Sequence, residues 1–174
     1  GIGVLAYAHW TNDKKLAKKE LKRRHANWLE KISNDGLINQ NSFRGHRGYW
    51  YHTLGANGVF SYALIAREFG WDFFTDPKLG PKLQALAKSV YAGDQDIQVF
   101  LDLPFSAKNA ARDIEDARYH MHQLSLNLPS ILANEYDLEV GRNVDYQRKS
   151  SRETVDRQTG FNADCYYIGT IKWE

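Results

Sequence analysis

The sequence predicts an all-α fold built from antiparallel helices. Apolar residues recur at helical spacing over two long stretches, short loops with capping residues separate them, and strand signals are few. With 174 residues the chain suits one domain with a sizeable core and is too short for two typical ones. Hydrophobic content of 43% against 25% charged residues places it with globular chains rather than disordered ones. A net charge of +2 is too small to argue for a nucleic-acid partner. No apolar run approaches the roughly 20 residues a membrane helix needs, so no membrane partner is expected. The lone Cys165 excludes an internal disulfide framework. The chain opens Gly1-Ile2-Gly3-Val4 without a methionine, which reads as the middle of a longer protein.

Ile2 to Trp10 reads as the end of an apolar helix. Thr11-Asn12-Asp13 then supplies a capping signal for a long helix to about Ser33. Leu21, His25, Trp28, Leu29 and Ile32 share its inner face, while Lys14, Lys15, Lys18, Lys22 and Arg23 form a solvated one. Asn34-Asp35-Gly36 is a turn, and Leu37 to Gly45 reads as irregular. The second long helix runs from Gly48 to Phe69, with Trp50, Leu54, Gly58, Ile65 and Phe69 as expected buried positions. Gly55 and Gly58 follow Tyr51 by four and seven residues, and a helix–helix contact is the expected reason for that stripe.

A loop from Gly70 to Gly80 opens with Trp71-Asp72-Phe73-Phe74, and Pro81 suits the first position of a helix ending near Tyr91. A helical pair is expected over Ser106 to Gln123 and Leu124 to Tyr136, with Pro129 breaking or kinking the second. From Asp137 to Glu174 the tail turns polar and irregular, apart from a short strand read around Cys165 to Ile168.

Residues 42 to 52, Ser-Phe-Arg-Gly-His-Arg-Gly-Tyr-Trp-Tyr-His, hold two arginines, two histidines, two tyrosines and a tryptophan. A helix built only for burial would not begin this way. Guanidinium forks bind carboxylates bidentately, aromatic faces stack on sugar rings, and positive charge beside a phenol favours the phenolate. The cluster suits an anionic, ring-shaped substrate. Arg44 and Tyr51 are seven residues apart, so helical backbone, or a preceding loop that folds back, brings guanidinium and phenol to one place. The blander possibility is that Arg44 caps a neighbouring helix and Tyr51 is a core aromatic.

The order Asp35-Gly36, Arg44-Gly45-His46-Arg47, then Tyr51-His52 opening an apolar helix resembles the central motif of the alginate lyase family. The resemblance spans roughly Thr11 to Phe74. It implies an incomplete α/α toroid and β-elimination on an acidic polysaccharide, either alginate (polymannuronate) or glucuronan, with no cofactor and no metal. Such an enzyme removes a proton from the carbon beside a uronate carboxylate while the glycosidic oxygen leaves the adjacent carbon. Because the carboxylate is already negative, its charge must be neutralised before that proton can go. By position Tyr51 would be base and acid, or the acid alone, and Arg44 would neutralise the tyrosinate or the uronate. His52, His46, Arg47 and Trp50 would be substrate-binding residues.

The family also uses an Asn-His pair on the helix before the long one. None occurs in this sequence, and counting back puts it at or just before Gly1. The resemblance therefore implies the C-terminal portion of a longer lyase, with an N-terminal half as partner and a periplasmic or secreted location. Two other readings stand beside it: a glycoside hydrolase using carboxylates, with Asp35 and Asp72 as the candidate pair, and a non-catalytic helical module that binds acidic glycans or a partner protein. His120 and His122 resemble a metal pair, but on a helix they point about 200° apart.

Overall fold

A computed structural model of the chain describes residues 1–38, 40–104 and 127–140. The expected all-α class holds over these residues: they form helices with no strand, and an isolated antiparallel bridge joins Ile32 to Ile38. The helices are α1 (Ile2–Trp10), α2 (Lys14–Lys31), α3 (Gly48–Glu68), α4 (Gly80–Gln95), α5 (Gln98–Leu101) and α6 (Asn127–Tyr136), with a 3-10 turn over Gly45–Arg47 leading into α3. The expected second helix of the 106–123 and 124–136 pair corresponds to α6, which continues through Pro129. The first helix of that pair, the His120 and His122 pair, Cys165 and the strand around it lie outside the described residues.

Local chemistry starts and stops these elements where the residues dictate. The Asp13 carboxylate accepts from the Leu16 backbone N–H at 2.8 Å and caps α2. Beyond Lys31 the chain turns extended at Ile32, and the Ser33 N–H donates to the Leu37 carbonyl across the turn. Pro81 sits in the first turn of α4, whose own hydrogen bonds run on to Gln95, one turn past the expected end. The Asp76 carboxylate accepts from the backbone N–H groups of Lys78 and Leu79 just ahead of that helix, and lies 3.1 Å from His25 of α2.

The core is organised around α3. From Ala56 to Ala66 every residue except Gly58 is buried, and of the five expected buried positions only Ile65 is, which corrects the other four. Trp50, Leu54, Gly58 and Phe69 are only half-buried, while Tyr49, Phe60, Tyr62 and Leu64 are sealed. The reason is tertiary: α3 touches α4, α5 and α6, and the Trp28 ring of α2 meets Tyr62 edge-on at 5.1 Å. Each large apolar side chain buried this way is worth about 1.5–3 kcal/mol relative to exposure. Arg67 ties α3 to α6, donating through both terminal nitrogens to the two Glu135 oxygens at 2.7 Å while its guanidinium covers Phe74. In contrast α1, apolar along its whole length, buries Leu5 and Ala8 and leaves Tyr7 and Trp10 exposed.

The lysine-rich face of α2 is exposed, as its pattern predicts. Within that charged sequence, however, Glu20 is buried and accepts from Arg23 and Arg24 at 2.8–2.9 Å. Burial alone would raise its pKa. The hydrogen bonds and charge of the two arginines outweigh that and hold it down to about 2.

Because the folded value lies below the unfolded one, this stabilisation is complete above a pH of 4.5 and drains away as pH falls toward about 2. Acid denaturation of Glu20→Gln should therefore have a shallower pH dependence across that window than the parent. An equal slope would show that the pair contributes nothing. Gly36 tests the packing of the turn: its φ is +76°, and a Cβ there would lie 2.2 Å from the Ala85 carbonyl of α4. Gly36→Ala should cost about 2 kcal/mol or more, read as a lowered melting temperature.

Candidate functional site

The site begins where the chain enters α3. At Gly48 a Cβ would stand 2.6 Å from the Ser42 carbonyl oxygen, so a side chain there would push the preceding loop away. That close approach folds the loop back over the first turn of the helix. Arg44 consequently lies beside Tyr51 although it is not on the helix: its guanidinium carbon is 4.3 Å from the Tyr51 ring centroid. The Arg44 Nε donates to the Gln40 carbonyl at 3.2 Å, which steadies the stem of the side chain. Stacking of this kind is worth about 0.5–1 kcal/mol at an exposed site.

Arg44 and Arg47 are exposed, whereas Trp50 and Tyr51 are half-buried. The Trp50 and Tyr51 ring centroids are 5.0 Å apart at 44°. Of the six residues singled out in the sequence, Arg44, Trp50 and Tyr51 thus stand together on one accessible patch, while Arg47 is exposed and bonded to its neighbour His46. The other two differ from expectation. His52 is 0% exposed, with Nδ1 2.9 Å from the Ser42 hydroxyl and Nε2 2.9 Å from the Ser89 hydroxyl. Burial pushes its pKa down to about 3, so the ring is neutral. His46 is 3% exposed, and its Nε2 accepts from the Arg47 Nε at 3.2 Å. Both histidines lie beneath the patch, not on it, because the 3-10 turn and the first turn of α3 point those positions inward.

The two tyrosines of the motif divide in the same way. Tyr49 is 1% exposed, donates to the Val90 carbonyl at 3.0 Å and packs against Phe100. Burial raises its pKa well above the ordinary value, so it stays a neutral anchor. Tyr51, two residues on, is the phenol a ligand can approach.

One turn further along α3, at Leu54 and Gly55, a cleft of about 410 Å³ opens between α3, α2 and the first residues of α1. Arg24, Trp28, Gly58 and Tyr62 line it. The expected helix–helix contact at the glycine stripe is corrected. A Cβ on Gly55 would meet the side-chain ends of Ile38 and Asn41 at 2.8 and 2.9 Å, and one on Gly58 would meet nothing within 4 Å. Gly55 is therefore covered by the loop before α3, and Gly58 floors the cleft.

Of the carboxylates considered for hydrolysis, Asp72 lies 3.3 Å from Arg67 and accepts from the Phe74 N–H at 3.0 Å. Asp35 lies in the turn before Gly36. Sequence reasoning missed Ser42 and Ser89, the partners of His52. Their only signal is a hydroxyl at an otherwise apolar position.

An all-helical protein with an arginine-stacked phenol at the head of its central helix is the class these observations define. Residues 1–100 match the model of the alginate lyase family, and the chain belongs to that family. No curated protein and no solved structure matches it. At the level of the family the activity is that of a polysaccharide lyase, and members are often secreted or periplasmic. Among the described residues no helix is long and apolar enough to cross a membrane.

The open space over Gly58 has a direct consequence for stability. Gly58→Ala should raise it by about 0.8–1 kcal/mol, the helix-interior difference between the two residues, read by thermal or urea unfolding. A loss would mean that the cleft closes over this position.

Proposed function

We propose that this chain carries part of the active site of a lyase that cleaves a uronic-acid polysaccharide, polymannuronate or polyglucuronate, by β-elimination. The observation that carries the reading is the Arg44 guanidinium stacked at 4.3 Å on the half-buried ring of Tyr51, whose other neighbour is the Trp50 ring at 5.0 Å.

The chemistry follows from those groups. A uronate carboxylate is negative before the reaction starts, and removing the neighbouring proton adds a second negative charge to the same group of atoms. A fixed guanidinium aimed at that charge lowers the barrier, since it needs no reorientation as the charge develops. The Tyr51 phenolate takes the proton from the carbon beside the carboxylate. The C–H electron pair forms a carbon–carbon double bond, and the glycosidic bond on the adjacent carbon breaks. The leaving oxygen then takes a proton from the Tyr51 hydroxyl. Arg44 compensates the charge on the phenolate before the first transfer and again after the second. Arg47 and Trp50 receive neighbouring sugar units, the first through carboxylates and the second by stacking. No cofactor enters this scheme.

An Asn-His pair from residues preceding Gly1 would complete the neutralisation of the uronate. One feature supports such a partner: α1 leaves Tyr7 and Trp10 exposed as a face for further helices. The described helices would then form part of an incomplete α/α toroid in a periplasmic or secreted enzyme.

The test is to mix the intact protein with polymannuronate or polyglucuronate and follow near-ultraviolet absorbance. Elimination leaves a conjugated double bond that absorbs there, hydrolysis gives reducing ends without it, and a binding module gives neither. Tyr51→Phe should lower the rate by about 10²–10⁴-fold and Arg44→Ala by about 10²–10³-fold. Elimination that survives both substitutions would remove these residues from the mechanism.

A further inference from the structure

The buried His52 lies one residue from the reacting phenol and touches no accessible surface, yet it makes two side-chain hydrogen bonds. Its Nδ1 is 2.9 Å from the hydroxyl of Ser42, in the loop that carries Arg44. The same Ser42 oxygen accepts from the Ile38 N–H at 2.8 Å and lies 3.1 Å from the Ile38 carbonyl. On the other side, Nε2 is 2.9 Å from the hydroxyl of Ser89 on α4. Ser89 in turn reaches the Leu86 carbonyl at 2.9 Å and the Gly36 carbonyl at 3.1 Å. One imidazole therefore joins both ends of the α2–α3 connection, Gly36 at one and Ser42 at the other, to α3 and α4.

A neutral imidazole has one N–H and one bare nitrogen, so His52 donates to one serine and accepts from the other. Each serine also has a carbonyl acceptor beside it, Ile38 for Ser42 and Leu86 or Gly36 for Ser89, so the serine that receives the ring N–H sends its own proton to a carbonyl. Either tautomer pairs both nitrogens of a neutral ring.

We propose that Ser42, His52 and Ser89 form a positioning chain that holds the Arg44 loop against α3, so that the guanidinium remains over the Tyr51 ring. The three residues touch no substrate and act through Arg44. Arg44 itself is exposed, and within the loop it has a stacking contact and a backbone hydrogen bond. Those contacts reach only the Arg44 side chain, whereas the hydrogen-bonded network grips the loop itself at Gly36, Ile38 and Ser42. The activity consequence rests on the role proposed for Arg44 above; the loop consequence does not.

Trypsin cuts after arginine, which makes Arg44 and Arg47 reporters of loop order. Cleavage at each site is followed by mass spectrometry in the intact protein, with the melting temperature and helical circular dichroism as controls on folding. Ser42→Ala should speed cutting after Arg44 and Arg47 by about tenfold or more while cutting in α3 is unchanged. In the elimination assay it should lower kcat by roughly 10²-fold with little change in KM, the loss a misplaced catalytic group produces. Ser42→Thr, which keeps the hydroxyl, should restore both readouts. If Ser42→Ala does not fold, Ser89→Ala tests the chain from the other nitrogen with the same expected pattern.

Unchanged tryptic cutting in the variants overturns the proposal whatever the activity does. Faster cutting with an unaltered kcat also overturns it, because the loop would then be ordered for some other purpose. A parent protein that performs no elimination refutes the proposed function alone, and the tryptic readout still decides whether His52 holds the loop.

Discussion

The burial of α3 between Ala56 and Ala66 is the constraint from which the other features follow. A helix packed by α2, α4 and α6 along this span cannot rotate about its axis without breaking those contacts together. Its rotation is therefore set by the packed half. Once that is set, each residue of the first turns has a fixed direction: Tyr49 and His52 point inward, and Trp50 and Tyr51 point toward the surface. The accessibility of one phenol and the sealing of another two residues away come from a single packing decision made about three turns along the same helix.

The loop before α3 is shaped by the same economy of space. Its described residues carry the bridge between Ile32 and Ile38 and the 3-10 turn at Gly45–Arg47, and it passes so close to the helix that Gly48 has no room for a side chain. Polar atoms brought this near a dry core need partners, because an unpaired buried group costs about 1–3 kcal/mol. Ser42, His52 and Ser89 supply them to one another. A requirement of folding thus places an arginine from an irregular segment over a ring from a helix.

Charge is handled differently in the two halves of the described chain. On α2, Glu20 gathers Arg23 and Arg24 at the edge of the cleft over Gly58, which holds Arg24 in the cleft wall and leaves the lysines in water. On α3, Arg67 is spent entirely on Glu135, Asp72 and the face of Phe74. Arg44 differs from both: it meets a ring and a carbonyl, and no carboxylate is paired with it among the described ion pairs. A cation left in that condition is suited to an acidic ligand.

Much of the fold was legible in the residues, because helical periodicity and caps are local. Asp13 three positions before Leu16, Pro81 after Gly80, and the Asn34-Asp35-Gly36 turn each act through atoms a few residues apart. The pairing of Arg44 with Tyr51 was legible for the same reason, since seven residues of near-helical spacing leave few other places for the guanidinium. Which side of α3 is buried was not legible. Trp50 and Leu54 are as apolar as Tyr62 and Phe60, and only the arrival of Trp28, of α4 and of α6 distinguishes them. The fate of the two histidines was hidden in the same way, because Ser89 stands thirty-seven positions from His52 and no local pattern links them. Sequence by itself determined which chemical groups gather at the head of α3. Tertiary packing decided which of them meet solvent and which are locked beneath, because burial depends on neighbours brought from distant parts of the chain.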